Sequence, residues 1–223
     1  MVEIKFCGMM RPADVREAVG LGARYVGVIL AEGPRTLSDE TALTVLSAVP
    51  GNAGVARVGV FGAFGVESAA AVATRAEALG LDVVQLHGDP NAATIAALRS
   101  RWNGQLWAVQ RVEGSVVPEE ASQLFELADA VVLDARVPGK LGGTGMALPW
   151  NELRAALDRL RVRRDAARLV LAGGLRADNV AAAVDALHPD VVDVSSGVET
   201  RVGVKDHTRM RAFRDAVHAE QIR

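Results

Sequence analysis

One thiol, one carboxylate and two glycine-rich turns carry the chemistry open to this chain of 223 residues. Cys7 follows Val2-Glu3-Ile4-Lys5-Phe6, a run that alternates and stops at Gly8. A thiol at the end of a short strand stands where many α/β enzymes keep reactive groups. The competing reading is a small buried side chain acting as a hydrophobe. Asp134 closes the apolar run Ala130-Val131-Val132-Leu133. A carboxylate is unfavourable there unless it is used or paired. It is either a capping or ion-paired group, with Arg136 as a candidate partner, or a general acid whose pKa partial burial lifts.

The glycine turns come late. Leu171-Ala172-Gly173-Gly174-Leu175 precedes a helix, and Val194-Ser195-Ser196-Gly197-Val198-Glu199 follows the last strand. Glycine lets the backbone approach a ligand closely, and N–H groups at a helix start favour an anion. Two such turns on neighbouring strands point to a phosphate site rather than to tight turns alone. The run from Gly139 to Gly145 reads as a mobile loop suited to a lid, and its order of Lys and Gly is not that of a nucleotide-binding loop. Arg35, after Gly33-Pro34, is a fork-shaped anion donor or a surface charge. His87 is a pocket residue or a satisfied core histidine. One cysteine and four dispersed histidines give no metal-ligand spacing, so no metal is expected. Ser195 and Ser196 lack a histidine partner in sequence, which argues against a hydrolase triad.

The elements that must position these groups repeat along the chain. Short Val/Ile/Leu-rich runs fall at 2–6, 25–29, 56–61, 83–86, 106–110, 130–133, 169–171 and 191–194. Each precedes an Ala/Leu/Glu/Arg stretch with helical spacing, starting near Pro12, Ser38, Val66, Asn91, Pro118, Trp150, Arg176 and Asp206. Ser38 followed by Asp39 and Glu40 is a helix N-terminus. Pro12 and Pro90 suit a first helical turn, and Gly22 and Gly80 suit left-handed helix ends. Eight strand–helix pairs predict a (β/α)₈ barrel, a single domain spanning 1–223, with an open doubly wound sheet as runner-up.

Composition bounds the function. Half the residues are hydrophobic and 4% are aromatic, which suits aliphatic strands under Ala/Leu helices. With 25 basic and 27 acidic residues the net charge is −2, and no basic tract interleaves with aromatics, so a nucleic-acid partner is not expected. The basic cluster from Arg159 to Arg168 reads as a solvated helix end and loop. A single cysteine fits a reducing compartment. No signal-like or bilayer-spanning segment is visible, so a cytoplasmic protein without membrane contact is expected.

Taken in order, these segments resemble the phosphoribosylanthranilate isomerase family of tryptophan biosynthesis. The markers are Lys5-Phe6-Cys7-Gly8, Gly33-Pro34-Arg35, Val58-Gly59-Val60-Phe61, Gln85-Leu86-His87-Gly88, Leu133-Asp134, Gly142-Gly143-Thr144-Gly145 and the two late glycine turns. The resemblance implies a cofactor-free Amadori rearrangement of a phosphosugar, N-(5-phosphoribosyl)anthranilate, to its aminoketose. It implies Cys7 as base, Asp134 as acid and Arg35 on the anthranilate carboxylate. Gly173, Gly174, Ser196 and Gly197 would hold the phosphate, with His87 and Asp193 lining the pocket. The chain departs from the family pattern at Met10, Gly33, the turn from Gly62 to Gly65, Met146 and Pro149. Alternatives are a histidine-pathway or bifunctional isomerase, which places an aspartate where Cys7 stands, and a non-catalytic phosphosugar-binding barrel. Either a monomer or a homodimer fits.

Overall fold

Eight short apolar strands pair in parallel, each with the next in sequence, and the first closes on the last. They are β1 (Glu3–Phe6), β2 (Tyr25–Ile29), β3 (Ala56–Phe61), β4 (Val83–Leu86), β5 (Gln105–Glu113), β6 (Ala130–Arg136), β7 (Arg168–Ala172) and β8 (Val191–Val194). Helices follow each: α1 (Pro12–Gly20), α2 (Asp39–Leu46), α3 (Ala69–Ala78), α4 (Ala92–Arg99), α5 (Ala121–Leu127), α6 (Trp150–Leu160), α7 (Val180–Leu187) and α8 (His207–Ala219). This computed structural model describes residues 1–62, 68–113, 116–118, 121–136, 150–160 and 167–219. Closure makes the fold a (β/α)₈ barrel and sets the doubly wound sheet aside.

Local rules account for several boundaries. Pro12 occupies the first turn of α1, and Ser38 caps α2 by accepting from the Thr41 N–H. Gly22 and Gly80 follow α1 and α3 with φ of 77° and 59°. Pro90 is a correction: Asn91 is the cap of α4, accepting from the Thr94 N–H, so the proline lies outside the helix. The predicted start of α3 near Val66 and the 139–145 loop lie outside the described residues, as do Met146, Pro149 and most of the basic cluster.

Strand alternation sorts the side chains into two cores. Phe6, Val84, Leu86, Leu133 and Val194 face the helices in one continuous cluster. Tyr25, Val58, Val83, Trp107, Val132 and Val170 belong to a second cluster, inside the barrel. There Trp107 and Tyr25 meet edge to face with ring centroids 4.7 Å apart.

A two-stranded hairpin interrupts the regular plan. β9 (Glu199–Arg201) and β10 (Val204–Lys205) run antiparallel between β8 and α8. Buried Asp14 of α1 anchors it: its carboxylate accepts from Arg11, from the Lys205 N–H at 3.4 Å, and pairs with His207 Nε2 at 2.9 Å. Gly203 turns the hairpin at φ 75°, and a Cβ there would run into Met10 Sδ, so Met10 packs against this turn.

Candidate active site

Inward-facing positions recur every second residue along each strand, and the site is their continuation past the last paired residue. Lys5 is followed by Cys7, Gln85 by His87, Val132 by Asp134 and Asp193 by Ser195. The second member of each pair lines a cavity of ≈ 280 Å³ at the C-terminal end of the barrel. The cavity brings together all nine residues singled out from the sequence. Cys7 and Asp134 line it with Arg35, His87 and Asp193, and so do Gly173, Gly174, Ser196 and Gly197.

Asp134 is not at a strand tip as expected. β6 runs on to Arg136, and register with Arg111 of β5 and Ala172 of β7 fixes Asp134 within the wall. The Arg136 side chain lies outside the described residues. Cys7 is buried, 7% exposed, and its N–H donates to the Val194 carbonyl at 2.9 Å. Gly8 then turns at φ 66°, and a Cβ there would stand 2.8 Å from both Arg35 Cδ and Ser195 Oγ. Only glycine admits that turn and that approach. β8 and β7 lie between β1 and β6 in the barrel, so the two glycine turns sit between the thiol and the carboxylate. Gly173 and Gly174 both have positive φ, 87° and 64°, and Ser196–Val198 forms a 3₁₀ turn.

The charges around Cys7 were largely missed in the sequence. Lys5 is fully buried, donating to Asp193 Oδ2 at 2.6 Å and Gln85 Oε1 at 2.9 Å. Glu199 grips Arg35 through Nε at 2.9 Å and Nη2 at 2.6 Å, and accepts from buried Lys205 Nζ at 2.9 Å. Lys205 also donates to the Ser195 carbonyl at 3.0 Å. Thus Arg35 reaches the cavity already fastened by a carboxylate of the same chain. Two buried atoms, Asp193 Oδ1 and Ser195 Oγ, have no hydrogen-bond partner among the described residues.

These surroundings set the protonation directions. Burial pushes the Cys7 thiol up, Asp193 adds to that, and Lys5 and Lys205 oppose it without overcoming it. Burial therefore outweighs the cations that stand near Cys7. Burial pulls Lys5 down, yet Asp193 and Cys7 hold it above its ordinary value. Burial lowers His87, aided by Arg111 and Lys5 against the pull of Asp134 and Asp193. Arg111 itself is turned toward Asp89 Oδ2 at 3.2 Å and the His87 carbonyl at 3.5 Å. No cluster of three or more metal-ligating side chains occurs among the described residues.

A parallel (β/α)₈ barrel with ionisable groups gathered at its C-terminal rim, beside glycine turns after the last two strands, is a barrel enzyme equipped for proton transfer. Residues 4–216 match the family described as PRAI: N-(5'phosphoribosyl)anthranilate (PRA) isomerase. The N-(5'-phosphoribosyl)anthranilate isomerase of Chromohalobacter salexigens is 38% identical over 219 residues, 98% of this chain and 95% of that protein. The phosphoribosyl anthranilate isomerase structure from Thermotoga maritima shares the fold at a TM-score of 0.85 and 31% identity, covering 98% of this chain and 100% of that one. A phosphoribosyl anthranilate isomerase in complex with reduced 1-(o-carboxyphenylamino)-1-deoxyribulose 5-phosphate matches at 0.81 and 30%, with the same coverage. The chain belongs to the phosphoribosylanthranilate isomerase family. The activity is an intramolecular aldose–ketose isomerisation, the Amadori rearrangement of tryptophan biosynthesis.

Proposed function

We propose that Cys7 is the general base and Asp134 the general acid of this isomerisation, acting without a cofactor. Asp134 gives its proton to the ring oxygen of the phosphoribosylamine as the C1–O bond opens, leaving a protonated imine. The Cys7 thiolate then takes the proton from C2, and the resulting enolamine tautomerises to the aminoketose. Electron withdrawal by the iminium acidifies C2–H, so a thiolate suffices as base.

One observation carries this reading: the thiol and the carboxylate lie on the inward register of β1 and β6 and line one cavity. Between the two groups, Gly173, Gly174, Ser196 and Gly197 are suited to the phosphate through main-chain N–H groups. Arg35 is suited to the anthranilate carboxylate with the guanidinium edge that Glu199 leaves open. Asp193 Oδ1 and Ser195 Oγ would take up sugar hydroxyls. The second phosphate cradle that a histidine-pathway substrate requires would fall after β3, where 63–67 lie outside the described residues. No helix among the described residues is long and apolar enough to cross a membrane. We place the protein in the cytoplasm, as a one-domain barrel acting alone or as a pair.

The test is loss of phosphoribosylanthranilate fluorescence with purified protein and no added metal. Cys7→Ala and Asp134→Asn are each expected to lower turnover at least ~100-fold with folding intact, the range for loss of a general acid or base. Turnover near wild type in either variant overturns the role of that residue.

A further inference from the structure

We propose that Lys5 is a positioning residue for Cys7: its buried ammonium, clamped by Asp193 and Gln85 directly beneath the thiol, is the fixed counter-charge that makes the thiolate reachable. The proposal deepens the reading of Cys7 as base and rests on it.

Three geometric facts carry it. First, Cys7 lies two residues beyond Lys5, just past the end of β1, so the two side chains share the barrel's inner face. Second, the ammonium is held in place on two sides, donating to Asp193 Oδ2 at 2.6 Å and to Gln85 Oε1 at 2.9 Å, two of its three donors. Third, the neighbouring strand makes room for both. A Cβ on Gly27 would stand 3.0 Å from Cys7 Sγ and 3.2 Å from Lys5 Cε, so the thiol and the lysine end lie over the same bare backbone. The Lys5–Asp193 pair is itself set by register, since the two residues are direct partners between β1 and β8.

Charge sense follows. The groups facing Cys7 are the cations Lys5, Lys205 and Arg35 and the anion Asp193, with Asp134 and His87 on the cavity wall. Arg35 and Lys205 share the Glu199 carboxylate. Lys5 is the strongest of the influences that lower the thiol. Lys5 gives up no proton in this role. Asp193 keeps it charged while the sulfur cycles between thiolate and thiol.

Cys7 is the sole cysteine, so alkylation by iodoacetamide reads its ionisation without ambiguity. The rate is measured against pH for the wild type, Lys5→Met and the double variant Lys5→Met/Asp193→Asn, each checked for fold by circular dichroism. The double variant leaves no lone charge in the interior, and replacement of a buried ion pair by neutral groups is commonly tolerated. We expect the alkylation midpoint to rise by at least about one pH unit in Lys5→Met, a tenfold slower reaction below the midpoint. The double variant should fall between the two, because Lys5 acts on the thiol more strongly than Asp193 does. The acid limb of kcat should move up with it in Lys5→Met. Midpoints unchanged from wild type, or a double variant at or below wild type, overturn the proposal even where Cys7→Ala abolishes turnover. Retained turnover in Cys7→Ala overturns the base role instead, and the midpoints still judge the coupling by themselves.

Discussion

Replacing Gly27 by alanine tests how tightly the thiol is placed. The added methyl would meet Cys7 Sγ at 3.0 Å, Lys5 Cε at 3.2 Å and Cys7 Cα at 3.5 Å, so something must yield by a few tenths of an ångström. The Cys7 backbone is pinned by its bond to Val194, 2.9 Å long. Lys5 is held from two sides by Asp193 and Gln85. The sulfur alone can move, by rotation about its own Cα–Cβ bond. Overpacking of this kind destabilises by about 1–3 kcal/mol. At ~2–4 °C per kcal/mol for a chain of this length, the melting temperature should drop by roughly 2–12 °C. The kinetic effect should be larger, because displacement of a reacting group by about 1 Å can slow a reaction ~100-fold. We therefore expect kcat to fall by up to about 100-fold in Gly27→Ala, with a smaller change in KM, since the proposed phosphate and carboxylate contacts are untouched. Steady-state fluorescence kinetics and thermal melts give both numbers. Gly20→Ala is the control: it ends α1 with nothing within 4 Å of the added methyl and should be neutral or gain about 0.5–1 kcal/mol. Wild-type kcat and an unchanged melting temperature in Gly27→Ala would refute the claim that the thiol is wedged between β1 and β2.

Two further outcomes concern the Arg35–Glu199–Lys205 cluster. Arg35→Lys replaces a forked donor by a point charge, so KM should rise at least about tenfold with kcat affected less; an unchanged KM in steady-state kinetics contradicts the assignment to the substrate carboxylate. Burial tends to raise Glu199, but the hydrogen bonds from Arg35 and Lys205 prevail and hold its carboxyl below the ordinary 4.5. A carboxylate lowered in the folded state contributes stability that is complete above the unfolded value and lost as pH falls through the folded one. Urea melts should therefore show a gap between wild type and Glu199→Gln that is constant above about pH 5 and narrows steadily below about pH 4.5. A gap that holds undiminished to about pH 3 would contradict that sign.

The barrel was legible in the sequence because its signal is redundant. Each strand is a Val/Ile/Leu run with a helix behind it, and β2, β3, β4 and β8 have the expected limits. β6 was read short because Asp134, Ala135 and Arg136 look like the start of a loop; pairing with β5 as far as Glu113 carries the strand through them. The nine candidate residues were picked from the strands and the segments that follow them, and the fold gathers them around one cavity. Lys5 was not. In an alternating strand a lysine reads as the solvated face, and only closure of the sheet turns that face inward. Glu199 and Lys205 were missed for a different reason. Their hairpin has three and two residues per strand, too few for any alternation to register, and the turn glycine at 203 was the one available cue.

The interior of the barrel is thus graded along its axis, and the grading follows from strand period and register. Trp107 and Tyr25 fill one level with aromatic rings, and the ammonium of Lys5 stands 5.9 Å from the Trp107 ring centroid. Lys5, Gln85 and Asp193 form a polar level above them, joined by two hydrogen bonds from the ammonium. Cys7, His87 and Ser195, each two residues further on, form the rim that faces the cavity. A buried ion pair is weak evidence for stability, because desolvation offsets its attraction. Its placement one step below the thiol, on the same strand pair that the barrel uses to close, gives that layer a use that packing alone does not. An apolar layer there would remove the strongest influence that lowers the thiol and leave burial, which raises it, opposed by cations that share the single Glu199 carboxylate.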